Sequence, residues 1–165
     1  MTTDPFDALM SSHDPAMAVV TTAGDGQIGG CLVGFHGQAS IEPHRYAVWL
    51  SKANHTYALA LRATHLAVHL LADDTGGRAL ASHFGGLTGD EVDKFAGIEH
   101  APGPGGVPLL AALPNRMVLR RVVLLDDGGD HVCATGEPVD AATTGPFRAL
   151  RLAAVRDLTP GHPAD

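Results

Sequence analysis

GCLVGFHGQASIEPHRYAVWLSKANHT, residues 30–56, is the stretch on which the fold turns. It sets glycine-loosened extended chain first, an apolar run next, and then Ser51, Lys52, His55 and Thr56 within six positions. Glycines at 29, 30 and 34 weaken a strand unless a bulge, a bend or a close ligand accounts for them. QIGGCLVGFH, residues 27–36, therefore reads as a strand bent at a corner or lying against a ligand. A turn follows over residues 40–43, and RYAVWLS is a further strand whose unbroken apolar character predicts cover on both faces. Where that strand passes into a helix, hydroxyls, backbone N–H groups and one point charge come together, which is what a phosphate requires. The competing reading is an ordinary strand-to-helix turn with a solvated lysine.

Upstream, Asp4 before Pro5 resembles an N-cap with proline at the first helical position, so PFDALMSS is a short helix ending near His13. AMAVVTT is then a strand that returns through a Gly24-Asp25-Gly26 turn as one hairpin. Downstream, Asn54 is placed to cap a helix over residues 55–63. THLAVHLLAD alternates, with His65 and His69 on one face of a strand about 14 Å apart, too far to share an ion, so no metal site is expected. Residues 75–84 read as a helix, and residues 85–106 as a Gly/Pro-rich loop of the kind that forms lids or interfaces. From Asn115, two strands are joined by an Asp-Asp-Gly-Gly turn. Residues 151–159 read as a last strand or short helix, and GHPAD as a fraying end.

The chain has 165 residues, 45% of them hydrophobic, which suits one domain over residues 1–165 with a substantial core. Its formal net charge of −7, with no basic run interleaved with aromatics, argues against a nucleic-acid partner. No window reaches the apolar length of a membrane span and the first ten residues lack a leader pattern, so a soluble cytoplasmic protein is expected. Cys31 and Cys133 fit no metal spacing and read as reduced, buried small hydrophobes. About six strands, two or three short helices, hairpin connections and no βαβ rhythm give a mainly β fold, a closed or partly closed antiparallel barrel. No GxGxxG lies between a strand and a helix, so a Rossmann site is not expected.

The order GCLVGFHGQASIEP, VWLSKANHT, DKFAG and GDHV resembles the flavin reductase-like family, FMN-binding split barrels of Greek-key type, across roughly residues 14–140. In that family the strand at residues 30–40 has the form G-x-T-x-S-S-F-x-S-x-S followed by L-x-P-P. This chain keeps Gly30, Ser40 and Pro43 and departs at Leu32, Gly34, Phe35, His36, Gly37 and Gln38. The resemblance implies flavin contacts from Gly34, Phe35, His36, Gly37, Gln38, Ala39 and Ser40, with backbone amides, His36 and Gln38 replacing hydroxyls. Ser51, Lys52, Ala53, His55 and Thr56 look like the family's S-K-x-x-x-T, which grips the FMN phosphate. His131 of GGDHV looks like the histidine beside which nicotinamide docks, and Phe84, Lys94 and Phe95 fall where the family's lid covers the cofactor.

What the resemblance implies is an NAD(P)H-dependent reductase of FMN, hydride passing from nicotinamide to flavin. FAD or a deazaflavin remains an alternative cofactor, and a redox module with little turnover an alternative function. The family further implies a homodimer with the flavin near the interface, for which residues 85–112 offer apolar material, and a monooxygenase component as the partner served.

Overall fold

The computed structural model describes residues 3–158. Helix α1 (Pro5–His13) starts at the predicted cap, where Asp4 accepts the Phe6 N–H at 2.7 Å. Strands β1 (Ala18–Gly24) and β2 (Gln27–Val33) form the predicted hairpin. Asp25 and Gly26 between them both have positive φ, the backbone of a two-residue turn whose twist matches that of the strands.

The expected strand over residues 27–36 is in fact two. Strand β2 stops at Val33, and after Gly34 and Phe35 the chain enters β3 (His36–Ser40), which pairs with β4 (Arg45–Ser51). Strands β5 (His65–Leu70), β8 (Arg116–Leu125) and β9 (His131–Ala142) complete a seven-stranded sheet of order β2-β1-β5-β8-β9-β4-β3. All of its pairings are antiparallel. Strands β2 and β3 are thus its two edges and are consecutive in the chain. Six interstrand steps of about 4.8 Å would separate the edges of a flat sheet by about 29 Å, and the three steps from Val33 to His36 span at most about 11 Å. The sheet must curl until its edges meet, which makes the split barrel. The Trp49 N–H donates to the Phe35 carbonyl at 2.9 Å, which carries the β3–β4 ladder one residue into the link between the edges.

The barrel interior holds Val20, Val48, Leu50, Leu66, Val68 and Leu119. A second core lies under helix α3 (Thr75–Gly86), where Val19, Leu71, Leu80, Phe84, Phe95 and Leu150 pack. Strand β1 alternates between the two, Val20 in one and Val19 in the other, and is covered on both faces. Strand β4 is not, contrary to expectation: Val48 and Leu50 are buried inside, but Trp49 is 38% exposed on the outer face. His69 joins three strands. Its Nδ1–H donates to the Val19 carbonyl, and its Nε2 accepts the Leu110 N–H of β7 (Pro108–Leu110), both at 3.1 Å.

Helix α2 (His55–Ala60) is shorter than predicted. The Arg121 guanidinium takes the carbonyls of Ala60 and Leu61, satisfying groups that another turn of helix would have used. Residues 85–112 are less irregular than expected, since β6 (His100–Pro102) and β7 form a small ribbon. The strand count is nine among the described residues, not six. At the far end Ala16 and Arg151 form a single bridge, followed by a 3-10 turn, Leu152–Val155. Thr159, His162 and the expected fraying end lie outside the described residues. Cys31 is buried as expected, whereas Cys133 is only half-buried, on the outer face of β9.

Candidate functional site

The turn from β4 into α2 has the shape its sequence implies but not free donors. The Ala53 N–H reaches the Ser51 hydroxyl at 3.3 Å, the Asn54 N–H the Ser51 carbonyl at 3.0 Å, and the Thr56 N–H the Asn54 side chain at 3.1 Å. The Lys52 N–H donates across to the Asp130 carbonyl at 2.9 Å. Most of the amides expected to face an anion are therefore used in holding the turn. Lys52 Nζ is 2.9 Å from the Asp126 carboxylate, at the start of the β8–β9 loop. The hydrogen bond between them raises the Lys52 pKa and lowers that of Asp126. Thr56 is buried against Gly29 of β2, and His55 Nδ1 is 2.8 Å from Asp90 Oδ1.

A cavity of about 300 Å³ opens beside this turn at the barrel seam. Gly34, Phe35 and Leu32 line it from the seam, Ser51 and Asn54 from the turn, Trp49 from β4, and Asp130 and His131 from the start of β9. The antiparallel register sets Ser51 opposite His131, which is why residues 80 positions apart share one wall. His131 Nδ1–H donates to Asp130 Oδ1 at 2.6 Å, an arrangement that holds the Asp130 carboxyl below the usual range. The imidazole lies against Phe35, with ring centroids 5.0 Å apart and planes tilted by 54°.

Of the residues singled out in the sequence, the fold brings Gly34, Phe35, Ser51 and His131 into this cavity and leaves the others around it. His36 points elsewhere: its Nδ1 is 2.7 Å from the Tyr46 hydroxyl and its Nε2 2.7 Å from the Ala16 carbonyl. Burial lowers the His36 pKa, so the ring is a neutral bracket between β3, β4 and the start of β1. Gln38, Ala39 and Ser40 line a separate shallow hollow with Ile41 and Glu42, and nothing crowds Gly37. Ala53 and Thr56 belong to the wall of the turn rather than to the cavity.

A second hollow, about 540 Å³, runs along the β2 backbone at Gly29 and Gly30, with His55, Asp90, Lys94 and Phe95 on its other sides. Lys94, expected in a lid, is buried there, its ammonium donating to the Gly30 and Phe84 carbonyls at 3.0 Å each. Burial lowers its pKa, with the Cys31 thiol and Asp90 working in the opposite direction. Phe84 and Phe95 pack edge to face beneath it. The sequence reading missed Trp49, Met17, Cys31 and Leu152 as cavity residues and saw Asn54 only as a cap. Trp49 carried no usable signal, since residues 46–50 are apolar at every position and neither parity marks the outer face.

The chain matches the model of the flavin reductase like domain over residues 10–151. It belongs to the flavin reductase-like family. A ferric-chelate reductase (NAD(P)H) of Archaeoglobus fulgidus is 30% identical over 123 residues, covering 74% of this chain and 72% of that protein. Among solved structures, a flavin reductase domain protein from Arthrobacter sp. FB24 superposes with a TM-score of 0.79 at 18% identity, covering 97% of this chain and 94% of the other. The NADH:FAD oxidoreductase SgcE6 of Streptomyces globisporus gives 0.76 at 22% identity over 90% of both chains. For this member of the family the split-barrel fold and an oxidoreductase function of the flavin reductase type follow. Among the described residues, no helix is long and apolar enough to cross a membrane.

Proposed function

We propose that the protein transfers hydride from NADH or NADPH to FMN held at the barrel seam. One observation carries the reading: Phe35, Trp49 and His131 converge on a single cavity with the hydroxyl of Ser51 and the amide of Asn54. Aromatic walls beside a few polar groups fit a planar ring with a polar edge, so the residues present suit a flavin. When bound, the flavin accepts hydride from the dihydronicotinamide and passes electrons onward.

The chain's part is to bind, stack and orient the rings, since no strong acid or base is required. Asp130 fixes the plane of His131 through Nδ1, so that the imidazole lines the cavity as a held ring against which a nicotinamide would be oriented. Ser51, Lys52, Ala53, His55 and Thr56 hold the phosphate in this reading. Lys52 then exchanges the Asp126 carboxylate for phosphate oxygens, one anionic partner for another. Gly34 and Phe35 meet the ring, and His36 positions that segment by tying it to Tyr46 and Ala16. The name of the Streptomyces relative makes FAD the alternative substrate to assay, and that of the Archaeoglobus relative makes ferric chelates alternative acceptors.

A homodimer belongs to the proposal. Trp49, Cys133 and Leu125 stand in one register row on the outer face. Leu125 is 60% and Val123 48% exposed, so this face offers more apolar surface for a second copy than the loop over residues 85–112 does. A cytoplasmic location and service to a monooxygenase component complete it. The test is His131→Ala. FMN affinity should hold while kcat/KM for NAD(P)H falls roughly tenfold or more, about 1.4 kcal/mol of transition-state stabilisation. Wild-type NAD(P)H oxidation by the variant would make His131 a structural residue. The occupied amides of the Ser51 turn favour a second reading, a flavin- or deazaflavin-binding redox module with little turnover. A tightly held coloured cofactor without NAD(P)H oxidation would decide for it.

A further inference from the structure

Beside the seam cavity lies a larger groove, about 720 Å³, between α1 and the 3-10 turn Leu152–Val155. Its walls are thioether, aromatic and aliphatic: Phe6 and Met10 from α1, and Met17, Leu32, Phe35 and Val155 from the body. Asp7, Ser11 and Arg156 are the polar groups at its margin. The groove and the seam cavity are neighbours, with Met17, Leu32, Phe35 and Leu152 in the walls of both.

Helix α1 makes the groove unusual, because none of its residues is buried. Nine residues are too few to hold a helix by propensity alone, so most of a short helix's stability must come from packing. Yet Phe6 is 66% exposed while contributing to a groove wall. What holds α1 lies at its ends. Asp4 caps the start, and Asp14, with φ of 44°, ends it and accepts the Ala153 N–H on its carboxylate at 2.7 Å. The helix is fixed across a gap of small-molecule size rather than packed into it.

We infer that this groove is a binding site for an uncharged, planar aromatic or quinone-like molecule, clasped between α1 and the 3-10 turn. Methionine and phenylalanine side chains favour conjugated rings over charged or strongly hydrated ligands. The Arg156 guanidinium suits a carbonyl oxygen on such a ring, and Asp7 on the same margin disfavours an anion. A second copy of the chain is the less fitting occupant, because this groove is concave and walled by the chain's own helix. The inference rests on the flavin reading for its purpose alone: the shared wall brings the molecule to the ring site, where an electron acceptor must sit. In that reading a quinone would gain two electrons and two protons, a hydride equivalent from NAD(P)H and a proton from water, and would leave as quinol with NAD(P)+ as the other product.

Equilibrium dialysis of the flavin-free full chain against 2-methyl-1,4-naphthoquinone tests the site without any turnover. Saturable binding is expected, weakened at least tenfold by Met10→Glu and by Val155→Glu, with FMN affinity unchanged in both. Met10 is exposed at the helix surface, so its substitution leaves the cores intact even where Val155→Glu disturbs folding. The inference is overturned by non-saturable uptake, by unaltered binding in Met10→Glu, by displacement of the quinone with NAD+, or by a Met10→Glu effect that appears as a change of mass. Naphthoquinone binding without FMN binding would remove the flavin reading and keep the groove. FMN binding without naphthoquinone binding would do the reverse.

Discussion

Acid should weaken this fold through one side chain, His69. The ring is fully buried, and its two nitrogens have opposite duties: Nδ1 donates to Val19 and Nε2 accepts from Leu110. Only the neutral imidazole can do both. Desolvation, opposed by the Val19 hydrogen bond and reinforced by the charge of Arg116, lowers its pKa from 6.5 to about 4. Because the folded pKa is depressed, the unfolded chain binds the proton first. Stability is therefore complete above pH 6.5 and falls as the pH drops toward 4. With those two pKa values, His69 alone removes about 2–3 kcal/mol between pH 7.5 and 4.5, with a limiting slope of about 1.4 kcal/mol per pH unit. Against a typical domain stability of about 5–15 kcal/mol, that is a visible fraction. The assay is urea unfolding at half-unit pH steps for the wild type and for His69→Gln, whose amide keeps a donor and an acceptor without titrating. His36 and the carboxylates titrate in both proteins and cancel in the difference. Parallel stability curves for the two proteins between pH 4.5 and 6.5 would refute the assignment.

Two further outcomes can be checked. Lys52→Ala should weaken FMN roughly tenfold or more and leave riboflavin nearly unchanged, as expected for a lost hydrogen bond to a charged group; titrations of both ligands decide, and equal losses would remove the phosphate from the Ser51 turn. Gly77→Ala would set a Cβ 1.9 Å from the Ala72 carbonyl oxygen in the first turn of α3. The strain should outweigh alanine's better helix propensity and cost about 1–3 kcal/mol, read as a lower urea midpoint with unchanged slope.

Much of this protein could be read along the chain because the controlling physics is local. The Asp4-Pro5 cap, the Asp25-Gly26 turn and the Asn54 cap each depend on a few adjacent residues, and all are present. The alternation expected of β5 does not appear as one buried and one exposed face, because its four central residues are all buried. Residues of the site were legible where motif order carried them, as with Ser51 and His131, but their adjacency was not. It comes from the register of β4 against β9, a pairing between strands 80 residues apart.

What only the tertiary structure decided is which groups remain free after folding. The sequence of the Ser51 turn offers donors to an anion, yet the folded turn uses most of them on itself and pairs Lys52 with Asp126, a residue far along the chain. His36 reads as a ligand contact and becomes a bracket, because its ring meets Tyr46 and Ala16 across the closed seam. The seam itself follows from a link of two residues between strands that end up at opposite edges of a seven-stranded sheet. Composition and periodicity determine that such strands form and which faces are apolar. Order within the sheet, and hence where the cavity opens, is set by long-range pairing that no local pattern encodes.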